Sequence, residues 1–305
     1  MTPLNRTCQS LCLIAVFSFT GCGADSGTSG NSLNAFISDR YSQCQLGTST
    51  EDLATPDPDR FQARSIEGKR MTMQYRLFIP DGYDPAIAYP LVIYLHGGAG
   101  NGTDNLRQIT TNANLVVTHL FSSPAVQSTY PCLVVAPQIP GTDTQDLDNW
   151  WATITQHGLS DNLFTAMEIL DELEAEFTID RKRIYAVGNS LGGAGVWDLA
   201  SKTSGRFAAF IPTASPPQWA GIRAPSSLRP DFARTIRDKT FWFLYGDQDG
   251  NGQMKPWWDE VVGLLRDDGL DPLYTEYVGG QHSIFRCAYT EPNLIPWLFS
   301  QVLPK

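Results

Sequence analysis

Residues 183–195 read RIYAVGNSLGGAG, and this stretch decides the fold. Ile184–Val187 is a short, continuous apolar run, the pattern of a strand buried on both faces of a parallel sheet. Gly188-Asn189-Ser190-Leu191-Gly192 follows at once, and the small residues Gly193-Ala194-Gly195 open a helix. In a G-x-S-x-G elbow the Ser occupies a strained strand-to-helix turn, and glycines flank it because a Cβ would clash there. The five-residue pattern alone is weak, and a Gly-rich structural turn competes with it. The strand before and the helix after favour the elbow.

The neighbouring segments repeat the same grammar. Leu91–Leu95, Leu133–Ala136, Ala208–Pro212, Phe241–Tyr245 and Tyr274–Val278 are further short apolar runs. Phe61–Glu67 and Met71–Ile79 alternate as an antiparallel pair, with a turn-rich connection from Asp81-Gly82. Asn162–Phe177 carries Leu163, Phe164, Met167, Leu170, Leu173 and Phe177 at helical spacing, with acidic residues opposite. Strands alternating with helices predict an α/β fold with a mostly parallel, doubly wound sheet. No internal repeat appears, and nothing within 36–305 marks a second domain.

Composition narrows the function classes. The chain has 305 residues, 42% hydrophobic and 18% charged, enough for a large core. Twenty-two basic against 32 acidic side chains give −10, which opposes a nucleic-acid partner, since phosphate binding needs clustered Lys and Arg. Residues 1–21 read as a signal peptide, with Arg6 before the short apolar stretch Leu11 to Phe19. Phe19-Thr20-Gly21-Cys22 resembles a bacterial lipoprotein processing site, in which Cys22 receives lipid and anchors the chain to a membrane. Phe19 replaces the usual aliphatic, so plain secretion is the alternative. Residues 22–35, rich in Gly, Ser and Asn, read as a flexible tether, and 36–305 as the catalytic domain.

Cys8 and Cys12 leave with the signal, so Cys44, Cys132 and Cys287 remain, enough for at most one bridge. Cys132 and Cys287 are placed at opposite sheet edges. Cys44 with Cys287 is the preferred pair, and three reduced thiols are the alternative.

A second Gly-rich turn, Leu95-His96-Gly97-Gly98-Ala99-Gly100, ends a central strand. There the N–H of Gly98, with that of Leu191 after the elbow Ser, is placed to face a developing oxyanion. His96 reads as a loop-bonding residue. Two later strands end in Gly246-Asp247-Gln248-Asp249 and Gly279-Gly280-Gln281-His282. The order Ser190, Asp249, His282 is that of hydrolases with this elbow: nucleophile, orienting acid, general base. Asp249 has the better offset from its strand, and Asp247 is the competing acid. His119, in an apolar helical stretch, and His157, in a polar loop, read as packing and surface residues. No C-x-x-C or H-E-x-x-H set suggests a metal, no phosphate loop appears, and no cofactor is required.

The stretches YDPAIAYPLVIYLHGGAGNGTDN (83–105), FTIDRKRIYAVGNSLGGAGVWDLASKTSGRFAAFIPTAS (177–215) and GGQHSIFRCAYTEPNLIPWLFSQ (279–301) resemble secreted α/β-hydrolase-fold serine esterases. These comprise predicted-peptidase and phospholipase/carboxylesterase-like groups, akin to polyhydroxybutyrate-depolymerase-like and feruloyl or acetylxylan esterases. The resemblance covers roughly residues 70–300 and implies Ser190, Asp249 and His282 in the same roles. Tyr245 replaces the His usual before Gly-x-x-Asp, and GNGQMKP follows Asp249 where x-x-Val-Pro is expected; both departures bear on the acid.

Two readings concern substrate. Between Ser215 and Thr240 only about two dozen residues are available, too few for an independent lid. Trp150, Trp151, Trp219, Trp257 and Trp258 follow C-terminal strand ends, the face that carries ligands in an open α/β sheet, and the first four are candidates for a ring-stacking platform. Packing of loops onto the core is the competing reading, above all for Trp258. The leading expectation is a carboxylic ester hydrolase acting on a carbohydrate, aryl or polymeric ester. A serine peptidase, and a non-catalytic binding module on a hydrolase fold, are the alternatives.

Overall fold

The computed structural model describes residues 35–38, 41, 57–141, 150–152, 158–219 and 232–304, all within one compact unit of residues 33–305. Among the described residues there are nine strands: β1 (Ala35–Ser38), β2 (Phe61–Glu67), β3 (Thr72–Phe78), β4 (Tyr89–Leu95), β5 (Leu133–Gln138), β6 (Ile179–Asn189), β7 (Ala209–Thr213), β8 (Trp242–Gly246) and β9 (Leu273–Tyr277). They form one sheet in the order β1-β9-β8-β7-β6-β4-β5-β3-β2. β2 and β3 are antiparallel to each other, and β3 is antiparallel to β5. The pairs from β1 through β5 are parallel, so their C-terminal ends share one edge.

Alternation along each strand supplies two cores. Leu91, Ile93 and Leu95 of β4 face the side covered by α2 (Asp161–Glu176), α3 (Leu191–Lys202) and α4 (Lys255–Asp267). Val92 and Tyr94 face the other side, against α1 (Asn112–Ser122) and the C-terminal helices α5 (Phe285–Tyr289) and α6 (Leu294–Ser300). All seven β4 side chains are buried, and each aliphatic one stabilises the fold by roughly 1.5–3 kcal/mol. Coverage on both faces explains why the central strands read as unbroken apolar runs.

The expected strands are present with boundaries shifted by a few residues, and the expected helix is α2. One element differs from the sequence reading. Ala35–Ser38, whose first residue the composition places in the tether, forms an edge strand pairing Ala35 with Tyr274 and Ser38 with Tyr277. Four residues are too few for periodicity to register, and the ladder to β9 supplies the missing order. The Val278 N–H donates to Ser38 O at 2.9 Å and continues it.

Cys132 is a buried free thiol, and burial pushes it up to about 12. Cys287 is disulfide-bonded to a partner outside the described residues. The signal segment, Cys22, Cys44, His157, the Trp219 side chain and residues 220–231 of the lid connection also lie outside them. Among the described residues no helix is long and apolar enough to cross a membrane.

Candidate active site

Parallel strands deliver the candidate residues to one edge: Gly97 and Gly98 follow β4, Ser190 follows β6, Asp249 follows β8 and His282 follows β9. Ser190 has φ +53° and ψ −121°, a left-handed backbone for a non-glycine residue, costing about 1–3 kcal/mol. Its N–H donates to Thr213 O at 2.9 Å, and its carbonyl accepts the Ala194 N–H at 3.2 Å, so neighbouring structure holds the strained turn. Gly192 is required by close approach, since a Cβ there would sit 1.8 Å from Leu95 O.

Ser190 Oγ lies 2.8 Å from His282 Nε2. His282 Nδ1 lies 3.0 and 3.2 Å from the two oxygens of Asp249. An ionised carboxylate only accepts, so the imidazole N–H faces Asp249 and the Nε2 lone pair is left to accept the serine O–H. The Asp249 side chain is 3% exposed and that of His282 40%, which places a buried acid behind a solvent-facing base. The Phe285 ring stands edge-on to the imidazole at 5.6 Å.

Asp247 points elsewhere. Its Oδ1 accepts the Gly279 N–H at 2.8 Å, tying the turn before His282.

The glycine turn after β4 commits most of its polar groups. Gly97 N–H donates to Asn114 Oδ1 at 3.0 Å, and Gly97 O accepts both Gly100 N–H and His96 Nδ1–H at 2.8 Å. Among the described residues the N–H groups of Gly98 and Leu191 have no acceptor, and each begins a helical turn. Asn114 also accepts from Tyr94 Oη at 2.8 Å, and Tyr94 Oη contacts Asn189 Oδ1 beside the nucleophile position. Sequence reading found no signal for Asn114, which belongs to no local motif.

His96 is wholly buried with both ring nitrogens engaged, because the Ile139 N–H donates to Nε2 at 3.1 Å. Burial lowers it to about 4, so it stays neutral as a loop clamp. His119 is also held below the ordinary histidine value by burial and then Arg60.

Of the four platform candidates, Trp151 is removed by its burial. Trp151 is fully buried; its indole N–H donates to His96 O at 2.9 Å, and its ring meets the His96 ring at 5.0 Å. That ring has no face left for a ligand. Trp258 is likewise buried, stacked on Tyr245 at 4.6 Å. Trp150 and Trp257 are half-buried. The sequence signal, position after a strand end, cannot separate a ring under the loop from one on top of it. Among the described residues no cluster of three His, Cys, Asp or Glu side chains is placed to hold a metal.

The family model described as "Putative esterase" matches residues 65–268, about two thirds of the chain and both glycine turns. The chain belongs to this esterase family. The chain is similar to a crystal structure of a thermostable esterase, with 27% identity and a TM-score of 0.68, covering 80% of this chain and 64% of that one. It shares its fold with the feruloyl esterase module from Clostridium thermocellum at 14% identity and a TM-score of 0.57, covering 85% and 94%. It is also 28% identical over 185 residues to Dipeptidyl-peptidase 5 of Porphyromonas gingivalis, a match covering 60% of this chain and 22% of that protein. The chain therefore spans less than two thirds of the thermostable esterase and about a fifth of the peptidase. The fold is that of the α/β-hydrolases, and the family is one of ester hydrolases.

Proposed function

We propose that the esterase is a serine hydrolase that cleaves carboxylic esters through an acyl-enzyme intermediate. The observation that carries this reading is the continuous line from Ser190 Oγ to His282 Nε2, at 2.8 Å, and from Nδ1 to the buried Asp249, at 3.0 Å. Ser190 Oγ attacks the ester carbonyl as His282 Nε2 takes its proton. Asp249 fixes the tautomer and stabilises the imidazolium. The N–H groups of Gly98 and Leu191 receive the negative charge on the carbonyl oxygen. His282 returns the proton to the leaving alkoxide, and water, activated by the same base, releases the acid and frees Ser190.

The substrate in this reading is an exposed ester of a carbohydrate, aryl or polymeric compound, supported by the half-buried indoles of Trp150 and Trp257. The chain is read as an exported lipoprotein anchored through Cys22, otherwise secreted; mass spectrometry of the mature N-terminus distinguishes the two. A peptidase is the second reading, favoured by the similarity to Dipeptidyl-peptidase 5.

The test is labelling by a fluorophosphonate, followed by peptide mapping and a panel of p-nitrophenyl esters, acetylated xylan, methyl ferulate and polyesters. Labelling at Ser190 with ester turnover is expected. A folded protein that is neither labelled there nor active on any ester overturns the proposal.

A further inference from the structure

The geometry points to Asp247 as a positioning residue that joins the turn carrying Asp249 to the turn carrying His282 and so sets the acid–base contact. The inference rests on the serine-hydrolase reading above. Asp249 and His282 are 33 residues apart and ride on separate turns after adjacent strands. Their 3.0 Å contact demands that the two turns hold one another in register.

Besides the Asp249–His282 contact itself, three hydrogen bonds among the described residues cross from the Asp249 turn to the end of β9 and the turn after it, and Asp247 makes two of them. Its N–H donates to Tyr277 O at 3.2 Å, and its Oδ1 accepts the Gly279 N–H at 2.8 Å. The third runs from Gln248 N–H to Gly280 O at 2.8 Å. Gly246 permits the approach, since a Cβ there would lie 2.1 Å from Gly280 O. Of the three, only the bond to Gly279 uses a side chain, so it alone depends on residue identity. Gly279 has φ +74°, and the N–H that Asp247 holds belongs to this left-handed residue. Fixing that peptide fixes the course of the next three residues into His282.

Asp247 touches neither the nucleophile nor the base in the structure, so its effect runs through His282. Losing the tie lets the base turn drift from Asp249, and misplacement of about 1 Å can cost about 100-fold in rate. An amide oxygen accepts as a carboxylate oxygen does, so Asn should keep the tie and Ala should break it.

The experiment uses the full chain with Asp247→Ala, Asp247→Asn and Asp247→Ser, steady-state hydrolysis of p-nitrophenyl acetate, and fluorophosphonate labelling. It also follows the low-field proton resonance of the His282 Nδ1–H. Asp247→Ala is expected to lower kcat by about 10- to 100-fold with KM within about threefold, and to weaken the low-field resonance. Asp247→Asn is expected to retain kcat within about threefold and keep the resonance. Asp247→Ser, whose short hydroxyl does not reach Gly279, repeats the Ala result and serves if Ala does not fold. Wild-type kcat in the folded Ala or Ser variant, with Ser190 still labelled, overturns this inference and leaves the serine-hydrolase reading standing. Equal large losses in Asn and Ala also overturn it, because charge and not the hydrogen bond would then be needed. Failure of the wild-type chain to label at Ser190 removes the reading beneath it as well.

Discussion

Asn114 Oδ1 accepts the N–H of Gly97 at 3.0 Å, so the donor next to Gly98 is withdrawn from the cleft. The same oxygen accepts from Tyr94 Oη, whose other contact is Asn189, the residue before Ser190. One buried amide thus links the glycine turn to the nucleophile elbow. Asn114→Leu keeps the volume and removes the acceptor, leaving buried polar groups unpaired at a cost of about 1–3 kcal/mol each. We expect a lower unfolding midpoint and kcat for p-nitrophenyl acetate reduced about tenfold or more, on the scale of a disturbed oxyanion donor. Unchanged kcat in the folded variant would show that the Gly97 peptide needs no such anchor.

The two aspartates after β8 separate by what each touches. Asp249→Asn leaves an amide beside His282 that can favour the wrong tautomer, and kcat should fall by about 10⁴-fold. Asp247→Asn should cost about threefold or less, since its amide oxygen still accepts from Gly279. The ratio of the two kcat values checks the assignment, and the reverse ranking would move the acid to Asp247. Ser190→Ala, measured alongside, should remove turnover by several orders of magnitude and leave the fold intact.

The sheet was legible because a strand covered on both faces is apolar throughout, and Leu91–Leu95 and Ile184–Val187 carry that mark locally. The meeting of Ser190, Asp249 and His282 was legible for a related reason: each lies within five residues after the end of a strand, and parallel strands bring those ends together. What escaped depends on distance in sequence. β1 is four residues whose order comes from β9, some 240 positions later. Asn114 meets Gly97 from a different helix, and only packing reveals it. Trp151 and Trp150 are neighbours with the same relation to the preceding strand, yet one is buried under His96 and the other reaches the surface.

His96 sets a limit on acid stability. Burial lowers its pKa from 6.5 in the open chain to about 4 in the fold. Between these values the unfolded chain binds the extra proton, so its contribution is full above about pH 6.5 and is lost as pH falls toward about 4. The slope is about 1.4 kcal/mol per pH unit, or about 2–3 kcal/mol between pH 7 and 4.5. Urea unfolding of the wild type and His96→Gln at both pH values isolates the effect, because other titrating groups are common to the two. The wild type should lose about 2–3 kcal/mol more than the variant on acidification. Parallel losses would mean that His96 takes up its proton in the folded state without penalty.

Esters and amides make different demands on the proposed site. An ester's alkoxide, above all p-nitrophenolate, departs with little help. An amide nitrogen must be protonated by His282 as it leaves, so the leaving group has to be held within reach of Nε2. Peptidases gain that hold by binding several residues of extended chain along a groove or sheet edge. In this chain the connection between Ser215 and Thr240 has only about two dozen residues, too few for a separate capping domain to grip the leaving side. His282 is 40% exposed, so water competes for the space where an amine would be held. Short-chain p-nitrophenyl esters should therefore be cleaved readily, and p-nitroanilides of the same acyl groups at least about a thousandfold more slowly, the scale of a general-acid contribution. The comparison is made as kcat/KM on matched acyl groups, with Ser190→Ala as the blank for each series. Similar kcat/KM values for the two leaving groups would replace the esterase reading with that of a peptidase.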